Sequence, residues 1–184
     1  MRPQVSCNFS PVSRIRMQTS WFAIYTRPHH EKKVNIALQS AGIDSYLPMQ
    51  TTLRQWSDRK KKVSVPFFSC YVFVHITNRH YYPVLNTPGV VRYVTFEGKA
   101  VAIPEKQIQL VKTILGQNIE AEEFDGHIEK GARVEIVRGS LLGLQGELIN
   151  YASSKRVVIK IEEINKALLI NIPLQYLRPV GCNS

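Results

Sequence analysis

Short apolar runs rich in aromatic and β-branched residues punctuate the first half of the chain. Three of them, at 21–25, 67–76 and 89–96, have the length and composition of buried strands. Two alternating stretches between residues 46 and 66 flank a charged tip and predict a β-hairpin. Because side chains alternate along a strand, the run at 67–76 sends two sets of residues to opposite faces, namely Val72, Val74 and Ile76 against Tyr71, Phe73 and His75.

Helical spacing follows the first and third of these runs. Apolar residues recur at intervals of three and four after residue 33, and the opposite side is polar, with Glu31, Lys32, Lys33 and Gln39. A weak helical segment at 78–88 is interrupted by Pro83, and another helix is predicted after Pro104. We expect the helices that begin near Pro28 and Pro104 to cover one face of the sheet, which leaves Tyr71 and Phe73 bare on the other.

The last third of the chain carries short β-prone runs separated by turn residues, at 133–137, 145–151, 156–161 and 166–172, with a fifth at 174–177. Such close spacing predicts a small β-barrel. The acidic segment 117–129 reads as a linker, and residues 1–20, which have no period, as a flexible tail. The predicted fold is therefore α+β, with a sandwich of a mainly antiparallel sheet and helices at 21–116 and a barrel at 130–180.

Composition adds limits to this picture. The chain has 184 residues, 44% hydrophobic and 21% charged, as in ordinary globular proteins. No stretch of 18 apolar residues occurs, so no membrane partner is expected. The first twenty residues lack the apolar core of a secretory signal, which favours a cytoplasmic location, and Met17 is an alternative start to Met1.

Charge is unevenly distributed along the chain. Residues 1–116 hold 16 Lys or Arg against 5 Asp or Glu, a balance of +11, whereas residues 117–184 hold 8 against 9, a balance of −1. Clustered cations favour polyanions through counterion release, so a nucleic acid is expected near the first half. The alternative is a basic surface that serves only solubility.

The sequence contains few residues whose type and spacing are suited to catalysis or metal binding. The three cysteines, Cys7, Cys70 and Cys182, have neither metal-ligand nor redox spacing, and they read as reduced thiols. No phosphate-binding Gly-Lys-Ser/Thr loop, supported nucleophile or paired carboxylates are present in the basic half. We expect no enzymatic activity, no metal and no cofactor.

Several stretches together resemble a known family. Trp21–Tyr25, Phe67–Val74, Thr87–Val91 and Phe96 resemble the amino-terminal (NGN) domain of NusG-type transcription elongation factors, and more closely their specialised relatives, the RfaH and UpxY-like antiterminators. Residues 130–148 resemble a KOW motif, which implies an SH3-like barrel. Two departures stand out. Ser69-Cys70 occupies the place where relatives commonly carry Pro-Gly or Pro-Asn, and Pro83 is unexpected.

The resemblance implies a monomer that bridges the cleft of RNA polymerase and suppresses pausing or early termination. Positions matching the family's contacts to the largest subunit are Tyr71, Phe73 and Phe96, with Phe68 beside them; those facing the second-largest subunit are His80, Tyr81 and Tyr82. A bare aromatic patch usually marks a protein interface. The alternatives are that both sheet faces are buried, and that residues 80–82 only pack at a helix start.

The basic residues of the first half are expected to approach upstream duplex or non-template DNA, and they are Arg27, Lys33, Arg54, Arg59, Lys60, Lys61 and Lys62. The charge run at the hairpin could equally be a solvated tip. Trp56 beside it would either stack on an unpaired base or anchor the hairpin.

The barrel of such factors recruits a ribosomal protein or a termination factor through a loop that corresponds here to Gly139, Leu141, Leu142 and Gly143. Apolar residues at a turn suit a partner site, although they could instead close the barrel end. The alternative function, an RNA- or ribosome-binding KOW protein, requires cations at 130–180, and the neutral balance there favours the polymerase-bound factor.

Overall fold

The computed structural model describes residues 19–55, 60–117, 119, 121–124, 131–151 and 154–180. The predicted tail up to residue 18, Trp56 and Arg59 at the hairpin tip, and residues 125–130 of the predicted linker lie outside this range. For Arg54 and Lys60 the description covers the backbone only.

The amino-terminal half contains nine strands and three helices within the described residues. In chain order they are β1 (Ser20–Thr26), α1 (Glu31–Ser40), β2 (Asp44–Tyr46), β3 (Met49–Gln55), β4 (Lys60–Pro66), β5 (Tyr71–Ile76), α2 (Tyr81–Leu85), β6 (Val90–Tyr93), β7 (Thr95–Phe96), β8 (Lys99–Ala100), β9 (Ala102–Ile103) and α3 (Glu105–Gly116). The predicted hairpin and amphipathic helices are thus present. The strand predicted at 89–96 is divided into β6, which belongs to the first sheet, and β7, which pairs with β8 in a separate two-stranded sheet.

The first sheet is antiparallel and runs in the order β2-β5-β1-β6, and β9 pairs with the start of β1. Strands β3 and β4 form the predicted hairpin, in which Met49 pairs with Pro66 and Gln55 with Lys60. The predicted strand at 67–76 is shorter than expected. Residues 67–70 form a turn, because Cys70 adopts a left-handed conformation with φ 67° that no regular strand accommodates.

Pro83 is tolerated because of where it falls in α2. It is the third residue of this short helix, in the first turn, where a backbone N–H has no partner within the helix. The departure noted in the sequence therefore does not prevent a helix from forming.

The carboxy-terminal half continues with six strands, β10 (Ala121–Phe124), β11 (Ala132–Ile136), β12 (Gln145–Tyr151), β13 (Ser154–Ile161), β14 (Lys166–Ile170) and β15 (Leu177–Pro179). They form one antiparallel sheet in the order β10-β14-β13-β12-β11-β15. Strand β10 lies inside the predicted linker, because residues 121–124 find open backbone groups along β14. The α+β class with mainly antiparallel sheets is confirmed.

The two helices expected on one face of the first sheet lie on opposite faces. Val34 and Leu38 of α1 pack with Ile24, Val72 and Val74. The apolar side of α3, which is formed by Ile108, Val111 and Ile114, instead joins Trp21, Ala23 and Phe73. Amphipathic spacing shows that a helix has a buried side, but it does not show which sheet face that side meets.

The face covered by α3 is continuous with the core of the second sheet. The same apolar cluster includes Phe68 and Phe73 of the first half and Val157, Leu168 and Ile170 of the second. The carboxy-terminal strands therefore pack against the molecule's own aromatic residues.

Candidate protein-binding face

One face of the first sheet carries a row of rings, which we call the aromatic face: Trp21, Tyr25, Tyr46, Tyr71, Phe73 and His75. The strand register produces this row, since Trp21 pairs with His75, Ala23 with Phe73 and Tyr25 with Tyr71. Trp21 stacks on His75 with ring centroids 4.8 Å apart, and Tyr25 meets Tyr71 edge to face at 5.4 Å. The predicted separation of Tyr71, Phe73 and His75 from the valine face is thus confirmed.

The expectation that this face is bare in the free chain is wrong. Phe73 and Phe68 are fully buried, and their rings meet at 6.1 Å. Tyr71 is half-buried, so some of its ring remains accessible. The rings are covered because a sheet with two apolar faces needs cover on both, and α3 and the second sheet provide it.

Polar groups of α3 also hold the aromatic face. The Lys112 ammonium lies 4.9 Å from the Trp21 ring centroid and 5.2 Å from that of Tyr46. The Trp21 indole N–H donates to Glu105. A hydrogen bond from Gln109, together with that from Trp21, lowers the pKa of the Glu105 carboxyl, and burial raises the pKa of Tyr46 to about 12.

Two side chains of the carboxy-terminal half, Lys166 and Glu163, contact the first half. Lys166 at the start of β14 places its ammonium 5.8 Å from the Tyr71 ring centroid and 3.0 Å from the carboxylate of Glu123. Gln107 of α3 donates a hydrogen bond of 3.3 Å to Glu163. These contacts attach the second sheet to α3 and to the Tyr71 end of the aromatic face.

The turn before Tyr71 is fixed by a carboxylate that the sequence placed on the polar side of α1. Glu31 is only 6% exposed, and its carboxylate accepts a 2.9 Å hydrogen bond from the Cys70 backbone N–H. The Thr26 N–H donates to the Cys70 carbonyl at 2.8 Å. Cys70 thus adopts a left-handed conformation at the position where the resembling family commonly carries Gly or Asn, the residues that enter this region most easily.

The three residues predicted to face a second subunit have different surroundings. The Tyr81 ring stacks on Tyr93 at 4.2 Å, and the Tyr93 hydroxyl donates to the Tyr81 carbonyl. The ring nitrogen of His80 lies 3.4 Å from the Thr77 hydroxyl. Tyr82 is 70% exposed, so it is the ring of the three that is most open to a partner.

The described basic residues form a surface beside the hairpin. Arg27 and Lys33 are exposed near the start of α1, and Lys61 and Lys62 are exposed on β4. Lys32, which was not among the predicted DNA-binding residues, donates a 2.7 Å hydrogen bond to the Ser64 carbonyl and ties α1 to β4. The start of α1 and strand β4, which carry these cations, are thus in contact.

In the loop between β11 and β12, the two leucines have opposite environments. Leu141 is buried in the core, whereas Leu142 is 68% exposed. The loop is closed by a 2.7 Å hydrogen bond from the Gly143 N–H to the Ile136 carbonyl, and both Gly139 and Gly143 have positive φ. Leu141 thus packs into the apolar core beneath the loop, and Leu142 is exposed on it.

Several residues on or beside the aromatic face were not predicted as site residues from the sequence. They are Trp21, Tyr25, Tyr46, Lys112, and Arg92, whose guanidinium carbon lies 5.9 Å from the Tyr25 ring centroid. Alternation along β1 was a usable signal for Trp21 and Tyr25, because it places both on one side of a strand. The cations were not predictable, since their positions over rings depend on tertiary packing.

Neither a metal cluster nor a membrane-spanning helix is found in the described part of the chain. No three His, Cys, Asp or Glu side chains come together there to hold a metal ion. None of the helices described has both the length and the apolar character needed to cross a bilayer.

Comparison with known proteins identifies the family. A family model for "NusG: Transcription termination factor nusG" matches residues 19–112, just over half of the chain. Proteins named transcription termination/antitermination protein NusG from Streptococcus pyogenes serotypes M3 and M1 are each 28% identical over 149 residues, which is 73% of this chain and 82% of theirs. A solved structure titled "Domain interaction in Thermotoga maritima NusG" shares the fold with a TM-score of 0.54 at 17% identity, over 90% of this chain and 99% of that one. The chain therefore belongs to the NusG family of transcription termination and antitermination factors.

Proposed function

We propose that this protein is a specialised antitermination factor that binds RNA polymerase and suppresses pausing or early termination along a particular long operon. Residues 21–116 act as the polymerase-binding part, and residues 130–180 recruit further proteins. The observation that carries this proposal is the aromatic face, since clustered rings of this kind are typical of the centre of a protein interface.

In this proposal the largest polymerase subunit contacts Phe68, Tyr71, Phe73 and Phe96. Phe68 and Phe73 are fully buried and belong to one apolar cluster with α3 and the second sheet, so part of this cluster must open before they can be bound. The contacts that hold this region closed include a hydrogen bond from the uncharged Gln107 amide to Glu163. They also include the cation–π contact of the Lys166 ammonium with the Tyr71 ring. Interactions of this strength are exchanged readily for others.

The second-largest subunit is approached from the α2 side. Tyr82 supplies the exposed ring there, and His80 and Tyr81 position it through their contacts with Thr77 and Tyr93. Together with the aromatic face, this gives the factor two attachment points across the polymerase cleft.

Upstream or non-template DNA is bound by the basic surface around the hairpin. Lys33, Arg27, Lys61 and Lys62 are exposed and pair with no carboxylate among the described residues, so they are available to phosphates. The proposal includes Arg54, Arg59 and Lys60 in the same set by their place in the sequence.

The exposed Leu142 at the β11–β12 loop binds a ribosomal protein or a termination factor. An exposed leucine held on a loop with two glycines of positive φ is a small, defined apolar contact. The neutral charge of this half suits a protein partner better than RNA.

The proposal is tested by replacing Tyr71. We expect Tyr71→Ala to weaken binding to core RNA polymerase at least tenfold in a co-sedimentation or interferometry measurement, since a central interface ring typically contributes ~2 kcal/mol or more. Tyr71 is half-buried, so its removal spares the packing that Phe73→Ala would disrupt. The matched control is Leu174→Ala, which removes an exposed apolar side chain from the other half. Equal binding of Tyr71→Ala and wild type, with both folded by circular dichroism, would refute the proposal.

A further inference from the structure

A cleft of about 1040 Å³ lies between the two halves of the molecule. Its first wall is formed by the β3–β4 hairpin, the start of α1 and the turn at Ser69 and Cys70. The opposite wall is formed by the end of α3 and by strand β10. This volume is at the upper end of the range for ligand sites, so the cleft has room for a short stretch of extended chain.

Strand β10 presents its edge, rather than one face, to the cleft. Three successive residues, Ala121, Glu122 and Glu123, line the cleft, although successive side chains of a strand point to opposite faces. On one side β10 pairs with β14, and on the other it pairs with no strand in the described part of the chain. Alternate backbone N–H and C=O groups of such an edge are open to another extended segment.

The lining of the cleft is acidic. Among the described residues that form it, Glu31, Glu122 and Glu123 carry carboxylates and none is Lys or Arg. Glu122 pairs with Arg156 and Glu123 with Lys166, but the Glu122 side chain is still 49% exposed, and a carboxylate accepts several hydrogen bonds. A cationic, extended segment therefore suits both the charge of the cleft and the open edge of β10.

The amino-terminal tail, residues 1–18, has this chemistry. It contains three arginines, Arg2, Arg14 and Arg16, and no Asp or Glu. The tail as a whole has no period, but within it apolar and polar residues alternate at 5–10, as in a strand that packs on one side. Extended segments with this pattern bind open sheet edges by adding a strand.

The tail is also long enough to reach the cleft. Strand β1 begins at Ser20, and the cleft lies by its other end, where the Thr26 N–H donates to the carbonyl of Cys70. The seven residues of β1 span about 20 Å. The chain from residue 10 to residue 20 covers up to about 33 Å when extended, so the tail can turn back along the sheet.

We propose that the cleft is the binding site of the molecule's own tail, in which residues 5–10 add a strand to the open edge of β10 and the flanking arginines lie near Glu122 and Glu123. Docked there, the tail contacts both halves at once and helps to hold them together. This contact lies within the chain, so it is independent of the proposed function.

Two of the three cysteines allow a direct test, because Cys7 belongs to the tail and Cys70, which is partly exposed, lines the cleft. The full chain is treated at low concentration with a short bismaleimide crosslinker, and the linked peptides are quantified by mass spectrometry. We expect the Cys7–Cys70 link to exceed the Cys7–Cys182 link roughly tenfold, since a docked tail has a high effective concentration at the cleft. Equal amounts of the two links, or a Cys7–Cys70 link formed only between two molecules, would overturn the inference.

The contribution of charge is tested with Arg14→Glu/Arg16→Glu. We expect this variant to lower the yield of the Cys7–Cys70 link roughly fivefold at low ionic strength, with the difference shrinking as salt rises. The matched control is Lys99→Glu/Lys106→Glu, which makes the same change of net charge at exposed sites outside the cleft and should leave the yield unchanged. An equal loss in both variants would count against docking of the tail at the cleft.

The added strand is tested with a chain that begins at Met17, the alternative start, which removes none of the described residues. We expect amide hydrogen exchange in β10 to rise about tenfold in this shorter chain, because the N–H groups of the open edge lose their partners. Exchange in α2, which does not line the cleft, should stay the same. If exchange in β10 is equal in the two chains, the tail does not pair with this edge and the inference fails.

Discussion

At the scale of single residues, the burial of Glu31 is the clearest example of a feature that could not be predicted from the sequence. Helical spacing assigned it to the polar side of α1, yet its carboxylate is buried and accepts the Cys70 N–H. The assignment failed because a periodic pattern records which residues are apolar, whereas Glu31 is buried to satisfy a backbone donor at a turn 39 residues away in the chain.

Removing this carboxylate should loosen the turn before Tyr71. We expect Glu31→Ala to lower the free energy of unfolding by about 2 kcal/mol, because a hydrogen bond to a charged group is lost together with a favourable charge in the first turn of α1. Urea unfolding measures the change. Lys33→Ala, an exposed position on the same helix, should stay within about 0.5 kcal/mol of wild type. A loss no larger for Glu31→Ala than for Lys33→Ala would show that the bond is not a stabilising one.

At the scale of elements, the sequence predicted the strands and helices well and their arrangement less well. The period along β5 correctly separated Val72 from Phe73, because alternation is a local property. The side of the sheet on which α3 lies is not local, and it was mispredicted. Strand β10 was missed since its acidic residues resemble a linker, and it forms only because β14 offers a free edge.

The β3–β4 hairpin gives a prediction about salt. We expect the double variant Lys61→Ala/Lys62→Ala to bind duplex DNA more weakly, and the slope of log affinity against log salt to become shallower by about 2, since each phosphate contact contributes close to one unit. Lys99→Ala/Lys106→Ala, which removes two exposed cations elsewhere, should leave the slope nearly unchanged. Equal slopes for the two variants would argue that the hairpin is only a solvated tip. Filter binding over a salt series provides the measurement.

At the scale of the whole molecule, the two halves share one apolar cluster through α3. The difference in charge between the halves was visible in the sequence, but their packing was not, because an apolar face seen in isolation shows only that it needs cover. Phe68 and Phe73, which the resemblance had identified as a binding surface, are fully buried in this shared cluster.

Lys166 links the halves, and its removal should favour their separation. It is mostly buried, pairs with Glu123 and lies over Tyr71. We expect Lys166→Ala to increase amide hydrogen exchange in α3 and β5 about tenfold, which corresponds to about 1.4 kcal/mol, and to strengthen polymerase binding. Lys160→Ala breaks a more exposed pair, with Glu147, and should change neither quantity. Unchanged exchange in Lys166→Ala would mean that this lysine does not hold the halves together.

The complete burial of Phe73 bears on how the factor would compete inside a cell. If only a minor fraction of molecules presents this ring at any moment, the apparent dissociation constant is the intrinsic one divided by that fraction, so one open molecule in about a hundred means roughly hundredfold weaker capture. Such a factor would fail to bind most of the polymerase molecules that it meets by random diffusion. It would bind those polymerases that lie close to a site where the factor is already held, for example by DNA bound at the hairpin.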